Sequence, residues 1–458
     1  MRDKHMKFSL LMALALMAGC HEAFSIPAPV PSPPNGQDNI QKVKADFIVS
    51  DALEFAEAVK FAVPGTIIEW TDGEYENIVL KMSLSGTADS AIVFRAQTPG
   101  GVVFKGASSL QLSGSHLIAE GFTFDNIDTS VKSSILTFAK GSSDCRISNC
   151  KIDGRGSKAS ELDTKWVSIY GIHNEISHCS FIDKRNMGCL LVVWMEDDIV
   201  PYHRIADNYF FRPYTHYDDN GKPRNGQESL RIGTSTYSMS DACCTVTGNY
   251  FYRCNGERAE IISNKSCNNL YEGNLFEGGE GTLTLRHGND CIVKGNFFLS
   301  GGRSEVGGVR IIGERHIVQD NIFLNLTGTD YKSALCVVKG ESKAELTGYW
   351  TVKDCVVKDN IFKDCLYGIV VNYGARDSQD TAPKNLTFSG NKIFSSKVYM
   401  IPVMVYEGTS SDEVKWQDNI IFGGKLKGIT LEMSSSAPDI PDYSDTIDEI
   451  RKNAGVSW

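Results

Sequence analysis

Short apolar runs alternate with turn residues along the whole chain, and one four-residue pattern keeps returning: a small or polar residue, then Asn, any residue, and Phe or Ile. It reads Asp-Asn208-Tyr-Phe210, Gly-Asn249-Tyr-Phe251, Gly-Asn274-Leu-Phe276 and Gly-Asn296-Phe-Phe298. It continues as Asp-Asn321-Ile-Phe323 and Asp-Asn360-Ile-Phe362, and closes with Gly-Asn391-Lys-Ile393 and Asp-Asn419-Ile-Ile421. Toward the N-terminus, Phe122, Cys150 and Cys179 fill the Asn position. Intervals run from 22 residues (Asn274 to Asn296) to 41 (Asn208 to Asn249). A period near 22 with insertions suits one coil of a β-helix, three short strands whose corners grow loops. Propeller blades repeat at about 40–50 residues, so the short intervals leave no room for a four-stranded blade.

The expected fold is therefore all-β: a right-handed, single-stranded parallel β-helix with an internal Asn ladder and capped ends. Coils stacked about 4.8 Å apart would bring eight Asn side chains into line, each amide donating to the oxygen of the next coil. An open coil at either end would expose apolar surface and bare strand edges. Asp51 before Ala52-Leu53-Glu54-Phe55-Ala56-Glu57-Ala58-Val59 predicts an N-capped amphipathic helix. At the other end Asp445 to Lys452 predicts a short helix before Gly455-Val456-Ser457-Trp458. One β-helix domain over residues 46–458 accounts for the rest of the chain, and it is expected to act as a monomer.

The first 45 residues belong to a different pattern. Arg2, Lys4 and Lys7 precede an apolar run from Phe8 to Met17, which is too short for a membrane span but suits a signal sequence. It ends in Met17-Ala18-Gly19-Cys20, similar to a bacterial lipobox, in which the Cys is lipidated. Residues 21–45 carry Pro27, Pro29, Pro31, Pro33 and Pro34 and predict an extended tether. The expectation is export as an outer-membrane lipoprotein on the periplasmic or cell-surface side, meeting the membrane only through its lipid anchor.

Composition narrows the partners. The 458 residues carry a net charge of −10, which argues against nucleic acid. A polyanion substrate remains open, since it needs only a local basic cleft. Twelve of the 13 cysteines lie beyond Cys20, several at repeat-equivalent positions, so stacked free thiols are expected rather than disulfides. No Cys-x-x-Cys pair suggests zinc.

The candidate chemistry lies in Ala259-Glu260-Ile261-Ile262-Ser263-Asn264-Lys265-Ser266 and, one coil later, Leu285-Arg286-His287-Gly288-Asn289. Lys265 and Arg286 are 21 residues apart, so they should project from neighbouring rungs of one β-face. Arg310 extends the row. Stacked cations repel, and packing does not ask for them. Either they are a solvated face paired with Glu260 or Glu305, or they form a polyanion groove in which Arg286 lowers the pKa of Lys265 and makes it a usable base. Simple alternation would point His287 to the opposite face, unless the backbone bends at Gly288.

Together with Asn225-Gly226-Gln227-Glu228-Ser229-Leu230-Arg231-Ile232-Gly233, these two stretches resemble polysaccharide lyase family six, which contains alginate lyases and chondroitin B lyase. The three motifs occur in order, and the resemblance spans most of the mature chain. It implies β-elimination on an acidic polysaccharide. Lys265 matches the base that removes the C5 proton of a uronate, Arg286 the partner at the leaving oxygen, and His287 a supporting group; Arg231 and Arg310 would bind substrate. It also implies Ca²⁺, held by one Asn and two Glu, a ligand set suited to a hard cation. Asn225 and Glu260 match, but Arg258 stands where the second Glu is expected, leaving Glu257 or Glu228 to complete the site. Without calcium, Arg258 itself would neutralise the substrate carboxylate. Alginate is the expected substrate; chondroitin or dermatan sulfate, and a non-catalytic glycan-binding lipoprotein, are the alternatives.

Overall fold

The computed structural model describes residues 43–458; the leader and most of the Pro-rich tether fall on residues 1–42, outside the described residues. The chain winds as a right-handed parallel β-helix. Its strands form sheets of 14, 12 and 13 members, and each sheet takes every third strand in order. Strand pairs within a sheet are parallel and mostly in unbroken register, as in Tyr209↔Tyr250 and Phe210↔Phe251.

The recurring motif marks one corner of each coil. The residue before each ladder position sits in the left-handed region: Asp207 at φ 54°, Gly248 at 64°, Gly273 at 64°, Gly295 at 62°, Asp320 at 57°, Asp359 at 56°, Gly390 at 65° and Asp418 at 53°. Gly, Asn and Asp tolerate that conformation best, which is why a small or polar residue precedes Asn each time. The Asn side chains then form the predicted ladder. Asn249 Oδ1 accepts from both the backbone N–H (3.0 Å) and Nδ2 (2.9 Å) of Asn208. The same double acceptance runs from Asn274 through Asn296, Asn321, Asn360 and Asn391 to Asn419. Beside it, Phe210, Phe251, Phe276, Phe298, Phe323 and Phe362 stack with centroids 4.6–4.8 Å apart.

A second polar stack, not foreseen from the repeats, occupies another corner. Cys145 N donates to Asn174 Oδ1, Asn174 N to His203 Nδ1, Cys244 N to Asn269 Oδ1 and Cys291 N to His316 Nδ1. The twelve described cysteines are all free, and eleven are buried.

Helix Ala52–Phe61 closes the N-terminal end as expected. Asp51 accepts from Leu53 N and Glu54 N, and Phe55 packs its ring against Trp70 and Phe94. The C-terminal helix, Ser444–Asn453, is present but lies along the flank instead of closing the last coil. Its Ile447 covers an outward strip of Leu275, Phe297, Ile322 and Ile361 on the 13-stranded sheet. The tail then runs back to early coils, where Gly455 N donates to Asp207 O and Ser457 N to Asn149 Oδ1. The strip explains the placement: four apolar side chains pointing away from the core need cover. The last coil is covered instead by Leu426, Ile429 and Leu431, which pack against the core.

Asn274→Ala should lower the thermal midpoint well below that of Asn419→Ala. The first leaves buried partners bare on both sides, at about 1–3 kcal/mol for each group, whereas Asn419 is half-exposed at the end of the ladder. Equal losses in a thermal melt would show that the ladder carries no such load.

Candidate active site

The motif residues gather on the outward face of the 12-stranded sheet. In strand Glu260–Lys265, Ile262 points into the core. Asn264 is also inward, accepting from Tyr271 Oη (2.8 Å) and Asn269 Nδ2 (2.8 Å). Ser263 and Lys265 therefore face out. The strand-to-strand register sets Arg231 beside Ser263, Ser263 beside Thr284, and Thr284 beside Arg310.

Lys265 does not pair with Arg286. The ladder reads Asn264↔Leu285 and then Lys265↔His287, so Arg286 is the extra residue of a bulge. Bulges re-aim side chains, and this one overturns simple alternation. His287 Nδ1 lies 3.4 Å from Arg286 Nη1, and its Nε2 lies 3.4 Å from Ser235 Oγ. Burial and the charges of Arg286 and Lys265 push the imidazole pKa down to about 3, so His287 is neutral across the ordinary range. Gly288, at φ 84°, supplies the bend that follows.

Arg286 is held by neutral groups. Nη1 donates to Gly348 O (2.8 Å) and Nη2 to Thr347 O (2.9 Å), and the guanidinium lies 4.5 Å from the Tyr349 ring centroid. Arg231 similarly faces the Trp194 ring at 5.5 Å. Arg310 differs: it is buried and ion-paired to Glu260.

At the start of the same strand, Glu228, Glu257 and Glu260 bring three carboxylates within 4.8 Å of one another, all buried. Glu257 gets there because it is not on the strand. It lies in a turn between Gly256 (φ 46°) and Arg258 (φ 59°), which frees it from strand alternation. Its Oε2 accepts from Gly226 N at 2.7 Å. Asn225 is exposed, one residue before that contact. Burial and the charges of Glu228 and Glu260 push the Glu257 carboxyl up to about 8. Glu228 Oε2 is buried without a hydrogen-bond partner. Three carboxylates with one guanidinium in direct contact, and one orphaned oxygen, suit a divalent cation bound by oxygen. Arg258 does not enter this space. It pairs with Glu280 and donates to Tyr217 Oη at 3.1 Å. A cleft lined by Pro223, Glu257, Arg258, Glu305, Tyr331 and Lys332 opens beside the triad.

Two contributors were not singled out from the sequence. Fully buried Arg212 donates to Glu228 O (2.7 Å) and Gly188 O (2.8 Å), and so fixes the backbone that carries Glu228. The loop carrying Tyr349 is the other; its signal was the long interval between Asn321 and Asn360.

The chain matches the family described as Chondroitinase B over residues 49–437. It is similar to the structure of the family-six alginate lyase AlyGC, at 30% identity and a TM-score of 0.77, over 90% of this chain and 56% of that one. The chain thus spans little more than half of that protein's length. A mannuronic acid specific family-six lyase from human gut microbiota is 25% identical, with a TM-score of 0.73 over 90% of this chain and 96% of that one. The family-six polysaccharide lyase Pedsa3628 from Pseudopedobacter saltans is also 25% identical, with a TM-score of 0.69 over 90% and 100%. No curated protein matches the chain.

Glu257 makes the acidic triad sensitive to pH. Its folded pKa near 8 lies above the unfolded value near 4.5, so its contribution to stability is full below pH 4.5 and is lost as pH rises to 8. A divalent cation held by the triad would compete with that proton. The rise in thermal midpoint on adding Ca²⁺ should therefore grow from pH 5 to above pH 8, and vanish in Glu257→Gln/Glu260→Gln. A calcium effect that is flat with pH would separate Glu257 from the cation.

Proposed function

The chain belongs to the chondroitinase B family, and from that premise we propose that it is a polysaccharide lyase that cleaves alginate by β-elimination. The observation that carries this reading is the grouping of Lys265, Arg286 and His287 around one bulge, with a cation-ready triad of carboxylates on the same sheet face. A glycosidase would need two carboxylates flanking the scissile bond, whereas the groups at this bulge are cationic or neutral.

The triad side chains Glu228, Glu257 and Glu260, with Asn225 at the mouth, would hold Ca²⁺. When bound, the ion neutralises the uronate carboxylate and so acidifies the hydrogen at C5. Lys265 takes that proton on Nζ. The C5–H electron pair forms the C4–C5 double bond, and the C4–O bond breaks with its pair going to the glycosidic oxygen. Arg286, fixed but without a carboxylate partner among the described residues, faces the charge developing on that oxygen. The oxygen leaves as a hydroxyl after taking up a proton from solvent, and Lys265 returns the C5 proton to solvent before the next turnover. His287 stays neutral and keeps its place between Ser235 and Arg286. Arg231, which faces the Trp194 ring and has no carboxylate partner among the described residues, would take the next carboxylate along the polymer.

Alginate is favoured over dermatan sulfate because the structures similar to this chain at 30% and 25% identity are described as acting on alginate or mannuronic acid. The family description, Chondroitinase B, supports a chondroitin-type substrate, chondroitin or dermatan sulfate, as the second reading. Purified protein should release ultraviolet-absorbing unsaturated oligosaccharides from alginate. Lys265→Ala should reduce that rate by at least about 10²–10⁴-fold with the fold retained. Product from dermatan sulfate alone would change the substrate, and a folded Lys265→Ala enzyme at the parent rate would remove the base.

We further propose that residues 1–20 are a lipoprotein signal and 21–45 a tether that would hold the enzyme at an outer membrane. A full-length protein should fractionate with membranes and Cys20→Ser should not. Equal partitioning into the soluble fraction would reduce the leader to an ordinary secretory signal.

A further inference from the structure

The interval from Asn321 to Asn360 exceeds the shortest coil by 17 residues (39 against 22), and its insertion carries Glu341 through Thr351 across the groove to Arg286. This loop is pinned at several points. Tyr349 N donates to Glu341 Oε2 (3.0 Å), Glu341 N to Tyr349 O (2.8 Å), and Ser378 Oγ to Glu341 Oε1 (2.7 Å). Ser342 N and Oγ both donate to the Asp380 carboxylate at 2.7 Å. The pinned loop presents two carbonyls and one ring face to the same guanidinium. Arg376 approaches that ring as well, at 5.0 Å from its centroid.

A long side chain that must meet a developing charge has to be fixed, and the usual fixative is a carboxylate. Arg258 and Arg310 are held that way. A carboxylate would also cancel the charge that an anionic substrate needs. Carbonyl dipoles and an aromatic face hold a guanidinium without cancelling it. Taking Arg286 as the group at the leaving oxygen, which rests on the function proposed above, we propose that Tyr349 is a positioning residue whose ring, on this loop, fixes Arg286 for catalysis.

The ring face, and not its hydroxyl, completes the hold begun by the two carbonyls, so the phenol is dispensable. Crystal structures and kinetics of Tyr349→Ala and Tyr349→Phe, beside the parent, test this. In Tyr349→Ala the Arg286 guanidinium should move by about 1 Å or more, and kcat on alginate should fall by about 10²-fold, more than KM rises. Tyr349→Phe should keep both the position and nearly the parent kcat. Arg286 unmoved in Tyr349→Ala, or Tyr349→Phe as impaired as Tyr349→Ala, overturns the proposal. If the parent cleaves no polyuronate but Arg286 still shifts only in Tyr349→Ala, the positioning role stands and the lyase reading falls.

Discussion

Everything in this molecule depends on each coil returning to the same place one rung further along. A parallel β-helix is not built from local hairpins; its strand pairs join residues 20 to 41 positions apart, so register must be set coil by coil. The device is a left-handed corner residue followed by Asn. The corner turns the chain, and the Asn side chain accepts from the coil before it through both that coil's amide and its backbone. Loops of any length can then leave other corners, because the ladder restores register after each of them. The two longest intervals are those that supply the Glu228 loop and the Tyr349 loop.

The site arises where that regularity is broken locally. A bulge at Arg286 brings His287 opposite Lys265, and a left-handed turn at Arg258 brings Glu257 to Glu260. An unbroken strand would have placed alternate members of each set on opposite faces. Beneath the bulge, inward Asn264 accepts from Tyr271 and Asn269 and donates to His287 O, tying the deviation to the core.

This division explains what the sequence made legible. The repeat Gly/Asp-Asn-x-Phe names both the turn and the ladder, so fold, Asn stack and free cysteines could be read directly. The family-like motifs located Lys265, Arg286, His287 and Glu260. Neither the bulge at Arg286 nor the turn at Arg258 has a composition of its own, so the pairing of Lys265 with His287 was out of reach, and Glu257 and Glu228 could be named only as alternatives for completing the acidic site. The flank position of the C-terminal helix was hidden for a related reason. Leu275, Phe297, Ile322 and Ile361 flank the inward Phe or precede it in each motif, and their outward strip appears only once the coils are stacked.

The arginines of the groove fall into two kinds, and the difference bears on how an acidic protein could hold the polyanion proposed as its substrate. Arg258 and Arg310 are spent on Glu280 and Glu260; they limit the negative charge around the triad to what a divalent cation can balance. Arg231 and Arg286 face Trp194 and Tyr349, partners without charge, and so keep their own. A net charge of −10 spread over the rest of the surface does not oppose this, since screening confines its reach to about 8–10 Å at physiological salt. Inside the groove the nearest groups decide. There the aromatic partners do for the cations what burial does for Glu257: they set the charge that the groove carries.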